Sequence, residues 1–200
     1  HQKNIMALMP LVWKLSNILL SKMSRIEIDN KQLIILNKDK INFKYFSFEE
    51  FKKISDINLD IAVLYSNYNL SINISLINGF LNELSKNNYL GNVVYLEVPG
   101  GAFEIPVFCK RIINAHRPLI VLSAGCIIKG DTKHFDFLSS CVTNALMNLS
   151  VETKTPILNG ILTVENNLQA IERAGLKLNK GKEFANAALK ILDFSQYFNE

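Results

Sequence analysis

From about residue 60 onward the chain alternates between two hydrophobic rhythms. Residues 61–65, 93–98 and 119–124 are short, almost unbroken apolar runs flanked by Gly, Pro, Asn or Ser, and 156–163 is a run interrupted by Asn159 and Gly160. Runs of that kind predict strands buried on both faces. Between them the apolar positions space out to a helical period. Ile72, Leu76, Phe80 and Leu84 predict a helix over 72–84. Residues 103–115 predict a second, with Pro106 tolerated in its first turn. Leu138, Cys141, Val142, Ala145, Leu146 and Leu149 predict a long third helix over about 134–154. A short helix over 165–174 should end at Gly175 as a C-cap glycine, and 181–198 should form the closing helix. Strands alternating with helices give an α/β fold: a four-stranded parallel sheet covered on both faces, a three-layer αβα sandwich. Loops at the carboxyl ends of such strands form the ligand crevice.

The first 58 residues do not follow this rhythm and are read as an N-terminal extension to a domain over 59–200. Residues 5–20 are apolar but interrupted by Pro10, Lys14 and Asn17, too short and broken for a membrane span. Leu11, Leu15, Ile18 and Leu19 would line one helix face, which favours an arm packed on the core or on a neighbouring subunit. A remnant of a targeting extension is the other reading. Residues 33–36 predict a short strand, and 47–54 a helix with Ser47 and Glu50 as a capping box.

Composition narrows the class. The 200 residues are 48% hydrophobic and 20% charged, which suits one globular domain with an appendage. The net charge of +4 is mild, and no Lys/Arg block with interleaved aromatics offers a nucleic-acid groove. It is compatible with phosphorylated substrates. Cys109, Cys126 and Cys141 form no C-x-x-C pair and no zinc cluster. Cys109 and Cys141 fall on apolar helix faces and read as buried free thiols in a reducing compartment. Asn73-Ile74-Ser75 and Asn148-Leu149-Ser150 fit the glycosylation pattern, but both fall in predicted helices and are set aside.

Candidate chemistry concentrates at one crossing. Gly130-Asp131-Thr132 follows the third strand and precedes the long helix. Unpaired N–H groups and the positive end of a helix dipole make that place suit a phosphate. The same residues would equally serve as an ordinary helix cap. His134 lies in or near the first turn, where an imidazole beside an anion pocket is a natural proton carrier.

The stretch from Gly125 to Phe135, Gly-Cys-Ile-Ile-Lys-Gly-Asp-Thr-Lys-His-Phe, resembles the signature of the 6,7-dimethyl-8-ribityllumazine synthases. Four further pieces fit in the same order. They are Tyr68-Asn69, the run from Val98 to Pro106, the run from Gln169 to Gly175, and Asn179-Lys180-Gly181. The resemblance covers the chain from about residue 60 to its end. It implies a flavodoxin-like fold and a transferase of riboflavin biosynthesis. That enzyme condenses 5-amino-6-(ribitylamino)uracil with 3,4-dihydroxy-2-butanone 4-phosphate through imine formation, phosphate elimination and ring closure. No metal or organic cofactor is implied. His134 would move protons. Gly130, Asp131, Thr132, Arg173 and Lys180 would bind phosphate. Tyr68 would stack on the pyrimidine, with Asn69 beside it. Ala102, Phe103 and Glu104 would meet the ribityl chain, and the backbone of Cys126, Ile127 and Ile128 would read the pyrimidinedione edge. Asn159 stands where the family usually has a Phe that closes over the ring from the adjacent subunit. The site would lie between subunits of at least a pentamer, in the cytoplasm or, with a targeting remnant, in a plastid. The alternative is a weakened or inactive descendant that binds flavin or lumazine or builds a cage.

Overall fold

The computed structural model describes residues 44–46 and 58–195. In chain order the elements are β1 (Lys44–Phe46), β2 (Ile61–Ser66), α1 (Leu70–Lys86), β3 (Asn92–Val98), α2 (Ile105–His116), β4 (Ile120–Ile128), α3 (His134–Thr153), β5 (Ile157–Val164), α4 (Asn167–Ile171) running into a π-helical turn (Glu172–Leu176), and α5 (Lys180–Ser195). All strand pairings are parallel, in the order β1-β3-β2-β4-β5. The four predicted strands are therefore present, and Lys44–Phe46 adds a short fifth at the β3 edge, from within the stretch read as an extension. The strand expected at 33–36 and the helix expected at 47–54 lie outside the described residues. No described helix is long and apolar enough to cross a membrane.

The order places the helices. The chain steps from β2 to β3 in one direction, then back past β2 to β4 and on to β5. Right-handed crossovers then put α1 on one face of the sheet and α2 and α3 on the other. Ala62, Leu64, Val94 and Val121 join Ile105, Cys109, Val142 and Leu146 in one core. The alternate positions Ile61, Val63, Val93 and Leu122 are as completely buried on the opposite face, where α1 packs beside α5. At that helix pair Gly181 is obligatory: a Cβ there would lie 2.0 Å from the Leu76 carbonyl oxygen.

Three local expectations are corrected. β4 does not stop at residue 124 but runs to Ile128, because β5 pairs with it as far as Ile128–Val164 and Lys129 N–H still reaches the Val164 carbonyl. Cys126, Ile127 and Ile128 are thus strand residues. Gly175 is not a left-handed C-cap: its φ of 174° is extended, and the turn closes through Lys177 and Leu178 N–H groups donating to the Glu172 carbonyl. Cys141 is exposed, whereas Cys109 and Cys126 are buried. The inward face of α3 is Val142, Leu146 and Leu149, and Cys141 sits about 100° away from Val142.

Candidate functional site

The turn after β2 is set by asparagines. Asn69 caps α1 with φ 56°, the left-handed region that Asn tolerates better than most residues. Its Nδ2 donates to the Cys126 carbonyl at 2.9 Å, tying this turn to the end of β4. Asn67 ties it the other way. Its N–H donates to the Gly100 carbonyl (3.2 Å) and its Nδ2 to Glu97 Oε1 (2.7 Å). In the loop after β3, Gly100 has φ 106°, open to glycine alone without strain. Glu104 Oε2 accepts from Gly101 N–H at 2.7 Å and so closes that loop at the start of α2. On β4, Gly125 packs so closely that a Cβ would come within 2.8 Å of the Ile161 side chain.

These turns and the start of α3 enclose a cleft of about 730 Å³ at the carboxyl ends of β2, β3 and β4. It lies where the strand order reverses, the expected place for a ligand in an open parallel sheet. Tyr68, Asn69, Ala102, Phe103, Glu104, Cys126, Ile127, Ile128, Gly130, Thr132 and His134 all line it. Asp131 does not, although it stands between two residues that do. Thr132 Oγ1 accepts the His134 N–H at 3.3 Å, just ahead of the α3 N-cap Lys133. His134 itself is exposed at the cleft wall. Burial pushes the Cys126 thiol up to about 11, so it is a neutral thiol at physiological pH and no nucleophile. On the rim, Lys129 Nζ pairs with Glu165 at 2.8 Å and lies 5.9 Å from the Phe135 ring centre. The Glu165 hydrogen bond and charge raise the lysine's pKa.

Three of the expected site residues lie away from this cleft within the same chain. Asn159 is exposed on β5, opposite Ser123, and its Oδ1 accepts the Ile161 N–H at 3.1 Å. Arg173 is half-buried in the π-helical turn after α4. Lys180 opens α5 and pairs with Glu183 at 2.5 Å. Conversely, Gly100, Gly101, Phe135 and Leu138 line the cleft without having been singled out. Leu138 was legible: four residues beyond His134, it shares that residue's helix face. Asn67 and Asn73, which shape the turn from beneath, carried no such signal.

Comparisons with known proteins identify relatives over the same part of the chain. The sequence model of the family described as 6,7-dimethyl-8-ribityllumazine synthase matches residues 58–196. Among relatives, the protein of that name from Thermococcus gammatolerans is 35% identical over 142 residues, 71% of this chain and 91% of its own length. Its counterpart from Thermococcus kodakarensis is 33% identical, over 70% of this chain and 88% of its own. The one from Buchnera aphidicola subsp. Baizongia pistaciae is 39% identical, over 67% and 86%. With the family model matching residues 58–196, and relatives above 30% identity covered over 86–91% of their own length, the chain belongs to the 6,7-dimethyl-8-ribityllumazine synthase family.

Proposed function

We propose that the cleft binds 5-amino-6-(ribitylamino)uracil and 3,4-dihydroxy-2-butanone 4-phosphate side by side and that His134 carries the protons of their condensation. As a member of its family the chain is a transferase of riboflavin biosynthesis, and nothing favours an inactive descendant. The observation that carries the reading is the meeting of three loops on one cleft, with an aromatic wall at one end and a helix start at the other. Tyr68 and Phe103 offer exposed ring surface for a flat heterocycle and its chain. Cys126, Ile127 and Ile128 present strand-end backbone to the pyrimidinedione edge. Asn69 adds its side chain and Glu104 its free oxygen. At the other end Gly130, Asp131 and Thr132 give N–H groups to the phosphate, where the helix dipole adds positive potential. Most of the rate then comes from holding two reactants in register. His134, at the phosphate end, takes and returns protons during imine formation and phosphate loss.

Arg173, Lys180 and Asn159 complete the site from a neighbouring chain. Arg173 gives the phosphate a planar, bidentate cation, and Lys180 adds a point charge. Asn159 faces the ring. Assembly as at least a pentamer is supported by the exposed apolar surface that flanks the cleft. Tyr68 (70% exposed), Phe103 and Phe137 leave a rim that a second subunit would cover. The catalytic domain takes in residues 59–200 together with the strand Lys44–Phe46 that pairs with its sheet, and the segment before that strand serves as an arm.

Subunit complementation tests this. His134→Ala and Arg173→Ala chains are each purified, dissociated, mixed and reassembled. If each site takes His134 from one chain and Arg173 from the next, about a quarter of the sites in an equal mixture regain both residues. Activity well above either parent is expected. A mixture no more active than the average of its parents would overturn the shared site.

A further inference from the structure

Beneath the Tyr68–Asn69 turn, and out of contact with the cleft, lies Asn73. It is completely buried on α1, one turn beyond the helix cap. Its Nδ2 points at three acceptors: the Ser66 carbonyl (2.8 Å), Ser66 Oγ (3.1 Å) and the Tyr68 carbonyl (2.9 Å). Ser66 Oγ donates in turn to the Tyr68 carbonyl at 3.4 Å. Ser66 ends β2 and is itself buried, so its groups have no water to fall back on. Oδ1 of Asn73 has no partner among the described residues, so all the side chain's bonding is spent on this turn. A buried amide with one side satisfied and the other orphaned is a poor choice for stability alone.

We infer that Asn73 is a positioning residue for the pyrimidine substrate: it fixes the two carbonyls that bracket the turn and thereby sets Tyr68 and Asn69 at the cleft wall. The inference rests on the proposed function, since it concerns the end of the cleft where the pyrimidine is held. Geometry makes the effect local. Asn73 grips the turn from below, Asn69 ties it to β4 and Asn67 ties it to the β3 loop. Without the Nδ2 donor, the Ser66 and Tyr68 carbonyls lose their shared partner and the turn relaxes. The start of α3, where Thr132 and His134 lie, hangs on β4 and is not touched by Asn73.

Two variants test it in the assembled protein. Asn73→Leu keeps the volume and removes the donor; Asn73→Thr keeps a single O–H donor. Steady-state rates of lumazine formation are measured with each substrate varied in turn. Asn73→Leu should raise KM for 5-amino-6-(ribitylamino)uracil about tenfold or more, while kcat and KM for the butanone phosphate stay within about twofold. Asn73→Thr should recover part of the loss. Fluorescence titration with the lumazine product should show weakening in the same order. If Asn73→Leu does not fold, the Thr variant alone must show the selective rise. An unchanged pyrimidine KM in a folded variant, or equal losses for both substrates, would overturn the positioning role. Absence of lumazine formation by the parent chain would instead overturn the proposed function.

Discussion

At the scale of single residues, most of the lining of the candidate cleft was legible because those residues sit on short contiguous pieces. Thr132 and His134 stand two apart, so one helix start brings both to the cleft. Residues whose role is spatial were not legible. Asn73 looked like part of a glycosylation pattern on a helix. Only the fold shows its amide turned inward onto Ser66 and Tyr68. Asn159 stands where the family resemblance implies a Phe. Its side chain is exposed and spends Oδ1 on the Ile161 N–H two residues along the strand. Asn159→Phe should therefore supply a missing aromatic wall to the adjacent site. An aromatic contact contributes about 0.5–1.5 kcal/mol beyond area burial. The pyrimidine or a lumazine analogue should bind roughly two- to tenfold more tightly, with the butanone phosphate unaffected. Calorimetric titration of both proteins checks this, and equal affinities would mean that Asn159 does not face the ring.

At the scale of elements, strands were read more reliably than their ends. Continuous apolar runs identify buried parallel strands, yet nothing in Gly125-Cys126-Ile127-Ile128 says whether the sheet continues. Pairing with β5 decides it, and β5 is distant in sequence. For α3 the reverse holds. Its period announces a helix, but the apolar residues number more than one face requires. Val142, Leu146 and Leu149 turn inward, leaving Phe137, Cys141, Met147 and Val151 exposed. The apolar residues left on the outer side of this 20-residue helix are a candidate subunit interface. Met147→Lys should thus lower the assembly state without unfolding the chain, because Met147 is 64% exposed and makes no part of the core. Sedimentation should show smaller species with circular dichroism unchanged. An unaltered sedimentation profile would remove α3 from the interface.

For the molecule as a whole, the alternation of strands and helices sufficed to predict the layered sandwich, because right-handed crossovers leave few ways to arrange it. Lys44–Phe46 was missed as a fifth strand: three residues, Lys-Tyr-Phe, carry too little pattern to be told from a loop. Burial of titratable groups in that sandwich has a consequence for alkaline stability. Burial raises Cys109 to about 12 and Cys126 to about 11, against an ordinary thiol near 9. Tyr65 is pushed up to about 12 by burial and by nearby Glu97. Raised folded-state values mean that the unfolded chain gives up these protons first as pH rises. The stabilisation is complete below the ordinary thiol value of 9 and is lost progressively as pH climbs toward the raised values. Urea unfolding midpoints should hold steady up to that point and then fall. A midpoint that is flat or rising there would contradict the burial of these groups.

The proposed reaction, lumazine made in this cleft with His134 as the proton carrier, can be read in one assay. The most direct measurement mixes the purified chain with the two substrates and follows lumazine absorbance together with released phosphate, for the parent and for His134→Ala. Lumazine and phosphate should form in equal amounts, well above the rate without protein. His134→Ala should lower turnover by about a hundredfold, the low end for a general acid–base group, since the gain from substrate proximity survives the substitution. A parent rate no greater than the protein-free rate, or equal turnover in the two proteins, would contradict it.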